Sequence, residues 1–168
     1  LRLNSIARYA FYQCQALEYA WFKDEVTTIG EYAFSNCKSL VSAHLPDSIT
    51  VIGRYAFANT KISKLNIGPK VTEIGLGAFE TLGTLATVSV HQWNQKFVYF
   101  NNAILRKNYG NSASIVLYPH GSKDTTYIAP SFYILSIEEG AFKNAKNLVE
   151  VSFSNDVLQI GSNSFEGC

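Results

Sequence analysis

The chain has 168 residues, 47% of them hydrophobic, and its 14 basic and 13 acidic side chains leave a net charge of +1. That balance supplies no electrostatic drive toward a phosphate backbone or an anionic membrane, so nucleic acid is not an expected partner. The apolar content argues against disorder, and no apolar run approaches the roughly 18 residues that suggest a membrane span.

The N-terminal stretch LRLNSIARYAF already contains a six-residue phrase that returns along the chain. Its copies lie at Ile6–Phe11, Ile29–Phe34, Ile52–Phe57, Ile74–Phe79, Ile137–Phe142 and Ile160–Phe165. Their starts are 23 residues apart, except for 22 between Ile52 and Ile74 and 63 between Ile74 and Ile137. Self-similarity at this period predicts a solenoid, in which each unit covers its apolar face only by stacking on its neighbours. Leu1 enters in mid-coil and the chain stops at Cys168, three residues after the last copy, so it reads as a piece of a longer array whose exposed end coils are sites of end-to-end self-association.

After each AF comes a polar turn and then an alternating stretch: LEYAWF (Leu17–Phe22), LVSAHL (Leu40–Leu45), ISKLNI (Ile62–Ile67), LATVSV (Leu85–Val90) and LVEVSF (Leu148–Phe153). The first, fourth and sixth residues are apolar, and the others are mostly polar, which is the pattern of a half-buried strand. A second apolar pair precedes each IG, as in Val26 with Ile29 and Ile49 with Ile52, and predicts a short extended segment on the opposite side of the coil. The AF itself is expected on a single helical turn. Equivalent strands then pair in parallel, and the repeated Ile and Phe side chains form interior columns. Gly30, Gly53, Gly75 and Gly161 follow the repeated Ile, but Ala7 and Glu138 take the same place, so close packing or easy turning is expected there rather than a required positive φ.

Cys14, Cys37 and Cys168 each fall three residues after the repeated Phe, where other copies carry Thr60, Leu82 and Ala145. A thiol interchangeable with these behaves as a small buried side chain. No CxxC or clustered Cys/His spacing points to zinc, and no cofactor is expected.

Between Val90 and Ile137 the phrase disappears. The segment holds two apolar runs, Ala103–Leu105 and Ile115–Tyr118, separated by the turn-rich NYGNS, and predicts an expanded, hairpin-bearing coil at about 91–136. Thr125–Pro130 restores the strand pattern and Tyr133–Ile137 leads into the next AF, so residues 1–168 are expected to form a single solenoid.

The repeats IGEYAFSNCKSLVSAHLPDSITVIGRYAF, with the interrupting NNAILRK and IVLYPHGSKDTTYIAP, resemble the BspA-like leucine-rich repeat proteins, also called the Treponema pallidum class. The resemblance covers nearly the whole chain. It implies a leucine-rich repeat solenoid, mainly β with short helical turns, wound as a right-handed coil with parallel strands. A variant coil of that family carries an aspartate-glycine-valine-leucine-tyrosine phrase similar to Asn102–Arg106 here, with Asn102 and Ala103 in place of the acidic residue and the glycine. Similar proteins are secreted or on the cell surface, in bacteria and some mucosal protists, and are associated with adhesion to host matrix proteins, other cells or co-resident bacteria. The resemblance carries no catalytic motif.

The alternation places Trp21, His44, Asn66, Ser89 and Ser152 in one outward column and Tyr19, Ser42, Lys64, Thr87 and Glu150 in its neighbour. Such a mixed face suits a protein ligand, with Trp21 and Tyr19 as anchors. The competing reading has Trp21 covered by a preceding coil or by its own neighbours. In the interruption, Trp93, Phe97, Tyr99, Phe100 and Tyr109 either close the expanded coil or form a second binding surface. A carbohydrate module would centre on Trp93, Asn94 and Gln95, and a passive spacer would need none of these. Ser42, His44 and Asp47 contain the residue types of a hydrolytic triad, but Ser42 and His44 share one short strand, so no catalytic site is expected. His91 and His120 flank the interruption and make only a thin metal set.

Overall fold

The computed structural model describes residues 3–168. In chain order the strands are β1 (Ser5–Ile6), β2 (Tyr19–Trp21), β3 (Thr28–Ile29), β4 (Ser42–His44), β5 (Val51–Ile52), β6 (Lys64–Ile67), β7 (Glu73–Ile74), β8 (Thr87–Val90), β9 (Phe97–Phe100), β10 (Ala103–Lys107), β11 (Ser112–Leu117), β12 (Thr126–Ile128), β13 (Tyr133–Ile137), β14 (Glu150–Ser152) and β15 (Gln159–Ile160). Strands β1, β3, β5 and β7 form one parallel sheet that sets Ile6, Ile29, Ile52 and Ile74 in register. On the other side of the coil β2 pairs with β4, β6 with β8 and β12 with β14, all parallel.

Between these sides lie the predicted columns. The rings of Phe11, Phe34, Phe57 and Phe79 stack at successive centroid distances of 4.9, 5.3 and 5.8 Å, with planes within 7° of parallel. Hydrogen-bonded strands repeat about every 4.8 Å, so the aromatic spacing follows the strand spacing. Each fully buried ring contributes about 1.5–3 kcal/mol over an exposed one, and a solenoid gains this only where the next coil is present.

The AF phrase does not sit on a helical turn, because no helix forms among the described residues. The cause is a left-handed residue at every fourth position: Tyr32 (φ 54°) and Asn36 (φ 61°), then Tyr55 (φ 52°) and Asn59 (φ 57°). A right-handed helix cannot pass through such residues. The backbone donors divide instead. Ala33, Ser35 and Cys37 donate to carbonyls three residues back, whereas Tyr32, Phe34 and Asn36 donate to Arg54, Ala56 and Ala58 of the next coil at 2.9, 2.7 and 2.8 Å. This side of the solenoid is therefore half turn and half ladder. Placing a tyrosine at positive φ costs about 1–2 kcal/mol, and stacking of Tyr9, Tyr32 and Tyr55 at 5.1 Å per step helps to offset it.

The repeated glycines serve close approach, as their replacement by Ala7 and Glu138 predicts. None of Gly30, Gly53, Gly75 and Gly161 has a positive φ, yet a Cβ on Gly53 would lie 2.6 Å from the Glu31 nitrogen and 2.7 Å from the Gly30 carbonyl carbon. Glu138 takes the same place next to the extended strand β11, its N–H donating to the Ile115 carbonyl at 2.8 Å as the Gly53 N–H donates to Ile29.

All three cysteines are free, and the shared slot behaves as predicted only inside the stack. Cys37 is fully buried, its Sγ–H donates to the Phe11 carbonyl at 3.0 Å, and burial raises its thiol pKa. Cys14 and Cys168 are exposed, which corrects the core reading for those two; they lie in the outermost described coils, where no further coil covers the slot.

The expanded coil is a three-stranded meander. Strand β10 pairs antiparallel with both β9 and β11, and β11 then pairs in parallel with β13, which pairs with β15. The β10–β11 hairpin was predicted; β9 was not. The β9–β10 connection is a two-residue turn through Asn101 and Asn102, both at positive φ (43° and 59°), a conformation that asparagine tolerates. Asn101 donates to the Ile128 carbonyl at 2.8 Å and Asn102 reaches Ser122 and Asp124, so the turn sits against β12. Ile104 and Leu117 pack into one hydrophobic cluster with the N-terminal coils, while Ala103, Leu105 and Ile115 pack into a second with the C-terminal coils. Strands β10 and β11 divide the two cores and are buried on both faces over Ala103–Leu105 and Ala113–Ile115, which is why they read as continuous apolar runs rather than alternating ones.

Arg106 closes the junction. In the regular coils the carbonyls of Ile29 and Ile52 accept N–H groups from Gly53 and Gly75 of the next coil. The Ile74 carbonyl accepts from the Arg106 guanidinium instead, at 2.9 Å, and the same group holds Glu138 at 2.7 and 3.2 Å. Lys143 bridges Glu80 and Glu166 at 2.7 and 2.9 Å, spanning the same gap. Tyr118 takes the place of the repeated Phe, donating to the Ala141 carbonyl as Phe34 does to Ala56 and stacking on Phe142 at 5.2 Å.

Candidate protein-binding face

The strand side of the solenoid carries the candidate site because alternation leaves every second side chain outside. Tyr19, Ala20 and Trp21 of β2 lie beside Ser42, Ala43 and His44 of β4; Lys64, Leu65 and Asn66 of β6 lie beside Thr87, Val88 and Ser89 of β8. All ten predicted outward residues are exposed, down to Glu150 and Ser152 on β14. Trp21 is 77% exposed and Tyr19 58%, so neither is covered. The indole of Trp21 rests on the His44 imidazole, with ring centroids 5.3 Å apart and planes tilted by 30°, and Ser89 donates to Asn66 at 3.0 Å.

The ladder opens between β4 and β6, and the shortened coil explains it. In four copies the residue that opens the strand stretch donates back to the cysteine slot: Leu17 to Cys14, Leu40 to Cys37, Leu85 to Leu82 and Leu148 to Ala145. The coil that starts at Ile52 lacks one residue there. Its Thr60 hydroxyl bonds the Phe57 carbonyl at 3.0 Å, Lys61 donates to Leu40, and β6 leaves β4 without a partner strand on that side. The result is a cleft of about 330 Å³ between the two strand pairs, with His44, Lys64, Asn66 and Ser89 at its walls and Leu65 and Val88 in its floor. His44, Lys64 and Asn66 are thus brought together, while Ser42, Tyr19 and Trp21 stand beside them on the N-terminal pair.

Trp93 is elsewhere. It is 69% exposed in the turn after β8, its ring is 5.2 Å from that of His91, and its backbone N–H donates to the His91 Nδ1 at 3.3 Å. The proposed sugar-binding trio is not available as a unit, because Asn94 is buried and spent: its amide nitrogen donates to the Gly68 and Val71 carbonyls at 2.7 and 3.0 Å, and its oxygen accepts from the backbone of Lys96 and Phe97. The aromatic residues of the interruption also divide. Phe97 closes the core, Phe100 is half-buried, and Tyr99, Tyr109 and Trp93 are exposed.

Ser42, His44 and Asp47 are all exposed, and among the described residues no side-chain hydrogen bond joins them. Among the described residues no group of three His, Cys, Asp or Glu side chains is gathered as a metal would require. His91 is half-exposed, whereas His120 is buried with neither ring nitrogen partnered, and burial with the nearby Lys143 charge lowers its pKa to about 4. Nothing in the motif pattern marked His120 as buried.

The coil geometry agrees with a comparison against known families. The model of the BspA-type leucine-rich repeat region matches residues 4–115 and 120–168 in six copies. The chain belongs to this BspA-type leucine-rich repeat family. Three solved structures share the fold. A leucine-rich cell surface protein of Faecalibacterium prausnitzii is 27% identical with a TM-score of 0.81, over 96% of this chain and 48% of its own. The pneumococcal vaccine antigen PcpA has a TM-score of 0.87 at 23% identity, over 95% of this chain and 39% of its own. The leucine-rich repeat protein of T. pallidum has a TM-score of 0.54 at 22% identity, over all of this chain and 71% of its own. No curated protein matches. The BspA-type chain therefore spans under half the length of the first and second of these relatives, and among the described residues no helix is long and apolar enough to cross a membrane.

Proposed function

We propose that this BspA-type solenoid is a non-catalytic protein-binding region of a cell-surface adhesin, acting outside the cell on a host matrix or cell-surface protein. The observation that carries the reading is the exposure of Trp21 and Tyr19 at one end of a ladder of ten outward side chains. A large indole held on His44, rather than buried, is positioned to anchor a partner, and aromatic anchors dominate the energetics of such contacts. Ser42, His44, Lys64 and Asn66 supply polar contacts around it, and the cleft between β4 and β6 admits a projecting side chain of the partner. Similarity to a protein described as cell surface and to a vaccine antigen supports the location. The reading takes residues 1–168 as one unit, with the coil at about 91–136 packed between its two cores.

The test is binding of the purified chain to a panel of immobilised extracellular-matrix proteins. Trp21→Ala should weaken capture by about 30-fold, the equivalent of about 2 kcal/mol for an aromatic hot spot, while Trp93→Ala should leave it within about twofold. Equal loss in both variants, or no capture by any matrix protein, would remove the adhesin reading in favour of a spacer.

A further inference from the structure

A second cleft lies away from the strand face, where the β10–β11 hairpin meets the segment before β13. It encloses about 740 Å³, within the usual range for small-molecule sites, and Lys96, Val98, Lys107, Tyr109, Asn111 and Phe132 shape it.

Its charge is one-sided. The Lys107 N–H donates to the Lys96 carbonyl at 2.8 Å, so the two lysines oppose each other at the end of the β9–β10 ladder, on the face shared with Val98 and Ala113. Like charges placed opposite one another across a ladder are unfavourable. Among the described residues no carboxylate lines the cleft and neither lysine has an acidic partner: Lys107 rests its ammonium on the Asn94 carbonyl at 3.1 Å. An anion seated between them would remove the repulsion.

The remaining wall is aromatic and amidic. Tyr109 is fully exposed next to Gly110, whose positive φ of 69° turns the loop there. Phe132 is half-buried against Phe100, with centroids 6.1 Å apart. Exposed rings offer flat apolar faces to the C–H side of a sugar; the Asn111 amide offers a donor and an acceptor to its hydroxyls, and Gln95, whose amide nitrogen donates to the Trp93 carbonyl at 3.0 Å, offers its amide oxygen. An extended peptide finds less here, because β10 and β11 are paired on both edges and offer no free ladder.

We infer that this cleft binds an acidic saccharide, a sugar ring bearing a carboxylate or a sulfate, independently of the strand face. Titration calorimetry of the 168-residue chain with tetragalacturonate, a sulfated maltotetraose, unmodified maltotetraose and tetraglutamate tests it. One of the two acidic saccharides should bind at least tenfold more tightly than maltotetraose and than tetraglutamate, and the stronger of the two identifies carboxylate or sulfate as the recognised group. Tyr109→Ala, a change at a fully exposed side chain, should weaken that binding about tenfold at unchanged melting temperature; Lys96→Gln should weaken it and flatten its salt dependence; Trp21→Ala should leave it intact. Equal affinity for maltotetraose, equal or tighter binding of tetraglutamate, indifference to Tyr109→Ala, sensitivity to Trp21→Ala, or no heat from any ligand at millimolar concentration would overturn the inference.

Discussion

Replacing Gly53 by alanine adds one methyl group at the point where two coils come closest. The new Cβ would meet the Glu31 nitrogen at 2.6 Å, the Gly30 carbonyl carbon at 2.7 Å and the Glu31 Cα at 3.0 Å. All three are backbone atoms, so no rotamer change relieves the clash. Relief requires the coils to separate, which stretches the Gly53 to Ile29 bond (2.8 Å) and the Tyr32 to Arg54 bond (2.9 Å) and loosens the Phe34–Phe57 stack. Overpacking of this kind costs about 1–3 kcal/mol, set against a gain of about 0.4–1 kcal/mol from the stiffer unfolded chain. The net loss should be about 1–2 kcal/mol, or about 2–8 °C in melting temperature for a chain of this length. Gly83→Ala is the control: nothing lies within 4 Å of its added Cβ and its φ is not positive, so it should be neutral or slightly stabilising. Urea denaturation followed by near-ultraviolet absorption of the tyrosines would measure both. A Gly53→Ala midpoint equal to that of Gly83→Ala would refute the claim that backbone contact sets the coil spacing.

Arg106→Met should cost about 2–3 kcal/mol, because it leaves Glu138 and the Ile74 carbonyl without their charge-assisted bonds; chemical denaturation should then show the two cores melting in separate steps, and a single unshifted transition would contradict the clamp. His120 is held neutral with its pKa near 4, below the ordinary 6.5, so its contribution is complete above pH 6.5 and is lost as pH falls toward 4. The loss should reach about 3 kcal/mol. His120→Phe should flatten that stretch of the stability profile, and an unchanged slope would count against the burial account. Leu158 and Ile160 are exposed on the last coil, so the purified chain should associate end to end as concentration rises. Ile160→Lys should return it to a monomer in sedimentation velocity, and a chain that stays monomeric throughout dilution would dismiss the contact.

The ladder and the outward face were legible because both depend on period. Ile29, Ile52 and Ile74 repeat at the coil length and fall into one parallel register, and the second and fourth residues after each strand-opening apolar residue are exposed in every copy. The helical turn was misread because Tyr32 and Tyr55 themselves carry no mark of a left-handed backbone, yet Gly77 and Gly140 hold the same place in other copies at φ 65° and 68°, and Asn36, Asn59 and Asn144 at the second such position repeat the hint. Strand β9 was hidden because FVYF in isolation is an apolar run without a turn signal before it. The role of Arg106 depends on a neighbour 32 residues away in each direction, at Ile74 and Glu138, which no local pattern encodes. The opening beside β6 was announced by the missing residue between Phe57 and Ile62, yet its consequence for the strand face follows only from the lost bond to the cysteine slot.

The most direct test of the binding claim is amide hydrogen exchange on the chain alone and in complex with whichever matrix protein captures it. The account predicts slowed exchange across Tyr19–Trp21, Ser42–His44 and Lys64–Ile67, with the tyrosine ladder and the 108–111 loop unchanged. Protection confined to the turn side at Tyr9, Tyr32 and Tyr55, with β2 and β4 exchanging as in the free chain, would contradict it.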